Sequence, residues 1–202
     1  MQIDTHPLIC YYKNTLKKDF PLILIVGREP NHDSPFDNTV RDYDFDQPDG
    51  KKSSMWNKSY GLFRFINQID STSEFKDICR KKEGSPILFT NLSPKPVLNS
   101  KSTKQKTKTR LNTPLSEYKN HFKKIFSKKI LKRVSLIVIS VDCKELNDKV
   151  PLFAKTCKKH KKKYVKIPYL ANPTISYKKI IKTIPNNKRN IVIKTYKKWM
   201  QS

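Results

Sequence analysis

The sequence predicts an α/β domain: a three-layer sandwich with a central, mostly parallel four-stranded sheet flanked by helices. Three observations predict it. Four short runs have the β-branched and aliphatic make-up of strands buried on both faces. The stretches between them carry apolar residues at helical spacing. Polar, turn-prone sequence follows three of the runs, as it does at the carboxyl ends of strands in an open sheet, where ligands bind.

The first run, residues 20–27, is Phe-Pro-Leu-Ile-Leu-Ile-Val-Gly and breaks into Pro30, Asn31, His32 and Asp33, which is loop chemistry. Residues 60–69 then place Leu62, Phe65, Ile66 and Ile69 on one helical face. The second strand is 85–91, ending in Thr90-Asn91, and 95–113 follows as a Lys, Ser and Thr tract without apolar period, read as a flexible basic loop. Residues 115–131 predict a second helix with Tyr118, Phe122, Ile125, Phe126 and Ile130 inward; Pro114 starts it and Glu117 complements its dipole. Residues 134–141 form the third strand and 163–170 a weaker fourth, bounded by Asn172-Pro173. The segment 31–57 is acidic and turn-rich. With 202 residues and 36% hydrophobic content, the chain suits one core, hence one domain over 1–202.

Lys and Arg number 43 against 17 acidic residues, a formal charge of +26. A polyanion is the natural partner, and the lysines run from Lys17-Lys18 to Lys197-Lys198, so a detachable tail does not account for them. A compositional bias toward lysine is the competing account. The apolar runs 22–26 and 136–141 are far shorter than the roughly 20 residues of a membrane span. The first residues lack a basic stretch backed by an apolar one, so the expectation is an intracellular monomer, cytoplasmic or nuclear according to host, without membrane contact. Cys10, Cys79, Cys143 and Cys157 are scattered without zinc-type spacing, so reduced thiols and no metal site are expected.

Four segments, in order, carry a family resemblance: Gly27-Arg28-Glu29-Pro30-Asn31-His32, Phe89-Thr90-Asn91 before a Pro-containing loop, Arg110 through Pro114 to Glu117, and Asn172-Pro173-Thr174. Over residues 20–180 the chain resembles the uracil-DNA glycosylase superfamily, whose corresponding motifs are Gly-x-Asp-Pro-Tyr-His, a strand ending in Thr-Asn, Asn-Arg-x-Pro-x-x-x-Glu in its iron-sulfur branch, and His-Pro-Ser. Residues 93–96 and His121-Phe122 stand where two cluster cysteines of that branch fall, so the resemblance implies a member without cluster or other cofactor.

The resemblance implies hydrolysis of the N-glycosidic bond of a flipped pyrimidine in double- or single-stranded DNA. Glu29 takes the position that orients the attacking water, and its carboxylate also suits an oxocarbenium-like centre. Asn91 reads the pyrimidine edge with one acceptor and two donors. Asn172 replaces the His that donates to the departing base, and His32 is either a catalyst or a structural hydrogen-bonder. Gly27, Arg28 and Asn31 complete the pocket wall, with Phe36, or else Phe45, stacking on the base. Asn31 stands where uracil-specific enzymes carry a Tyr that excludes a C5 substituent, which implies tolerance of C5-modified pyrimidines. Thr174 and either Ile175 or Tyr177 meet the duplex, and Lys95, Lys101, Lys104, Lys178 and Lys179 meet phosphates. The alternative is a catalytically inactive DNA-binding protein that keeps the fold.

Overall fold

In the computed structural model, the residues described are 8–28, 40–42, 54–95, 97, 102–170, 172 and 174–202. The four predicted strands are β2 (Leu22–Gly27), β4 (Ile87–Asn91), β5 (Val134–Ser140) and β6 (Tyr164–Ile167). They lie side by side and all parallel in the order β4-β2-β5-β6. Two three-residue strands extend the sheet beyond β4: β1 (Ile9–Tyr11), antiparallel to β4, and β3 (Val40–Asp42), parallel to β1. Neither has a run long enough to announce a strand. Every residue of β2 is buried, the expected result for a strand with neighbours on both edges and helices on both faces.

Among the described residues, seven α-helices accompany the sheet: α1 (Ser54–Ile66), α2 (Thr72–Lys81), α3 (Thr103–Asn112), α4 (Leu115–Phe126), α5 (Lys149–Lys159), α6 (Tyr177–Lys182) and α7 (Asn186–Gln201). The chain moves from β2 to β4 in one direction and from β4 to β5 and β6 in the other. Right-handed crossovers therefore put α1 and α2 on one face and α4 and α5 on the opposite face. On the first face α7 closes the layer, with Trp199 edge-on to Phe75 at 5.8 Å and Tyr196 edge-on to Phe63 at 6.0 Å. On the second, Phe153 of α5 meets Phe122 at 4.8 Å and Phe126 at 5.6 Å. The result is a three-layer α/β sandwich around one apolar core.

Two expectations are corrected. Of the predicted face, Leu62 and Ile69 are buried and Ile66 packs against the core, but Phe65 is only half-buried beside Tyr177, and Tyr60 and Phe63 are buried in its stead, because the helix turns its 59–63 side toward the sheet. The tract read as a basic loop over 95–113 contains α3. Its start is satisfied by a capping box in which Ser102 Oγ accepts from Gln105 N and the Gln105 side chain accepts from Ser102 N. Glu145, in the connection after β5, fastens the helix: it accepts from Thr107 Oγ1 at 2.9 Å and lies 3.8 Å from the buried Arg110 guanidinium.

Candidate functional site

Parallel pairing aligns the carboxyl ends of β2 and β4, so Gly27 and Asn91 are register partners. The ladder continues past both strands, with Leu92 N donating to Gly27 O and Ser93 N to Arg28 O, each at 2.8 Å. Arg28, the first residue after β2, lays its guanidinium over the Tyr169 ring, 4.0 Å from the centroid. Tyr169 follows β6, so this contact spans the carboxyl end of β5. Ser140, the last residue of β5, holds the same segment by accepting from Leu170 N at 2.8 Å. Asn172 N then donates to Tyr169 O at 3.1 Å. Three motif segments thus meet at one end of the sheet, beside β2 and β5, where the strand order reverses direction and open sheets take their ligands.

The Asn172 carboxamide has a determined orientation. Its oxygen accepts from Thr174 N at 3.0 Å and Thr174 Oγ1 at 2.8 Å. A backbone N–H can only donate, so the atom facing it is the oxygen, and the NH₂ group remains to donate elsewhere. Asn91 is half-buried at the end of β4. Its backbone carbonyl accepts from His121 Nε2 at 2.9 Å, and burial lowers the His121 pKa to about 4. A neutral imidazole facing a carbonyl carries its proton on Nε2. His121 therefore ties α4 to the end of β4 behind Asn91.

The sequence did not single out His121 as a site residue, although it lies on the inward face of α4 with Tyr118, Phe122 and Ile125. The helical spacing was the available signal.

Other predicted residues fall nearby or outside the description. Glu29, Asn31, His32 and Phe36, with Phe45 and Lys101, lie outside the described residues. Lys95 forms a half-exposed ion pair with Glu117 at 3.1 Å, so a phosphate at Lys95 has to displace a carboxylate. Lys104 on α3 and Lys178 and Lys179 on α6 are exposed. Ile175 and Tyr177 both pack against the core, and a Cβ on Gly61 would clash with the Tyr177 hydroxyl. Gly61 is thus the residue that lets α6 approach α1. An open groove beside this contact is lined by Lys58, Phe65, Thr174, Ile175, Tyr177 and Lys178.

Among the described residues, no group of three or more His, Cys, Asp or Glu is placed to hold a metal ion. No helix among them is long and apolar enough to cross a membrane. Cys10, Cys79, Cys143 and Cys157 are all unbridged. No protein-family model matches the chain, and no curated protein matches it.

Proposed function

We propose that this chain is a monofunctional DNA glycosylase that hydrolyses the N-glycosidic bond of a flipped uracil-related or C5-modified pyrimidine. The observation that carries the reading is the convergence of the Gly27-Arg28, Asn91 and Asn172 segments at one end of the sheet. Segments of this order in the sequence resemble glycosylase motifs, and their meeting in space is what a shared base pocket requires.

In this reading the Asn91 carboxamide pairs with the pyrimidine edge, and His121 positions it through the backbone. Glu29 orients a water that attacks C1′ of the sugar as the bond to the base breaks, and its carboxylate accepts the proton the water loses. The base leaves as an anion, and the Asn172 NH₂ donates a hydrogen bond to it. Asn remains neutral where a histidine carries charge, so help to the leaving group is modest. Asn31, smaller than the Tyr of uracil-specific enzymes, admits a substituent at C5.

The test is abasic-site formation on duplexes and single strands bearing uracil, a thymine mismatch or 5-modified cytosines. Cleavage of at least one C5-substituted base is expected, with Glu29→Gln about a hundredfold slower at unchanged DNA affinity. A strict preference for plain uracil would remove the C5 assignment. Tight, salt-dependent binding with no abasic product on any substrate would leave the fold as a DNA-binding scaffold without the reaction.

A further inference from the structure

The charge of this protein is divided along the chain and again in space. Residues 1–83 contain 13 basic and 13 acidic residues, so they are neutral; residues 84–202 contain 30 basic and four acidic ones and carry the whole +26. A general bias toward lysine adds lysines everywhere, but it does not strip acids from one half. The four acids of the second half are also gathered together. Glu117 lies in the first turn of α4, Asp142 and Glu145 follow β5, and Asp148 precedes α5, all at the carboxyl end of the sheet.

The opposite end of the same layer is different. Helices α4 and α5 run back toward the amino ends of β5 and β6, and Phe126 stacks on His160 at 4.7 Å, setting the two helix ends side by side. Lys123, Lys124 and Lys129 from one end and Lys158, Lys159 and Lys161 from the other are all exposed there. No acidic residue occurs in 118–141 or in 149–202. Among the described residues, Asp19 stands at the border, 3.9 Å from Arg133. Lysines do stabilise helix carboxyl termini, but two such termini offer together about one unit of negative charge, too little to balance this cluster. β5 separates it from the candidate pocket by its seven residues, about 20 Å.

We infer that the α4–α5 end is a second polynucleotide-binding surface, separate from the candidate pocket, which grips a phosphate backbone without reading bases. Compact ammonium groups on flexible stems suit that task. Among the described residues, the exposed large apolar side chains are Leu16, Leu111, Leu115 and Met200, none of them on α5 or in the carboxyl-terminal half of α4, so these helix ends lack the apolar anchor of a membrane-lying helix. The choice of polymer rests on the DNA-binding part of the proposed function; the surface itself rests on charge and geometry. Its use is to hold a second segment of nucleic acid while the pocket engages the first.

The experiment compares the full chain with Lys123→Gln/Lys124→Gln/Lys158→Gln/Lys159→Gln, whose exposed positions leave the core intact. Stoichiometry is measured at low salt with short labelled duplexes about one helical turn long, and energy transfer between two dyes reports two duplexes on one protein. The parent is expected to hold two duplexes and the variant one, with the logarithmic salt slope of total binding smaller by about 3 to 4. A parent that holds one duplex, or a variant that still holds two, overturns the inference. So does a variant that loses binding to vesicles of anionic lipid while keeping both duplexes. The excision assay is run on both proteins: two-to-one stoichiometry without abasic product leaves this surface standing and removes only the glycosylase reading.

Discussion

Burial keeps the His121 imidazole neutral far below the usual histidine range, with its pKa near 4 instead of 6.5. Between those values the unfolded chain binds a proton that the folded one excludes. The stability due to neutral His121 is therefore complete above pH 6.5 and is lost as pH falls toward 4, by roughly 3 kcal/mol in all. Denaturant unfolding at pH 7 and pH 5 should show this loss, and His121→Gln, which keeps a donor for the Asn91 carbonyl, should flatten it. An unchanged pH dependence in the variant would assign the loss to other groups. Asn91 and Asn172 were legible as candidates because their motifs are local. His121 was not, because its partner carbonyl lies 30 residues away and only packing joins them.

Helix ends show how this chain manages with four glycines. Helices α1, α2 and α5 each close with a paired 6→1 and 5→2 hydrogen-bond pattern, and the left-handed position is filled by Gln68, Glu83 and Lys161 with φ of 56°, 49° and 52°. A side chain in that conformation costs about 1–2 kcal/mol, partly offset by the entropy glycine brings to the unfolded chain. Gln68→Gly is expected to stabilise by about 0.5–1 kcal/mol, raising the melting temperature by about 1–4 °C; a lower melting temperature would show that Gln68 makes a contact worth more than the strain. Helix α3 was missed because its ten residues have no apolar stripe, and the periodic signal fails without one. The Ser102 to Gln105 capping pair was legible, but the anchor at Glu145 belongs to another element. Hydrogen bonds also shape that anchor: the Cys143 thiol first, then the backbone and Thr107, together with the Arg110 charge, hold the Glu145 carboxyl down to about 2.

At the scale of the whole molecule, a charge of +26 on 202 residues makes the unliganded fold repel itself. Raising salt from about 0.01 M to about 0.1 M shortens the screening length from about 30 Å to about 10 Å. The melting temperature should therefore rise over that range in calorimetry, and rise further with a bound polyanion. A fall on adding salt would show that the ion pairs, such as Lys95–Glu117, outweigh the repulsion.

The strands β2, β4, β5 and β6 were readable because a strand buried on both faces must be apolar throughout, and the segments of the candidate pocket were readable as short local motifs. The neutral and basic halves of the chain were also present in the sequence, though a total charge conceals them. Only the tertiary structure decided that β2 lies between β4 and β5, that Gly27 faces Asn91, that Arg28 reaches Tyr169, and that the acids gather at one end of the α4–α5 layer. Strand order and helix direction follow from crossovers and long-range packing, whose partners lie tens of residues apart, whereas composition and periodicity report only what each segment buries.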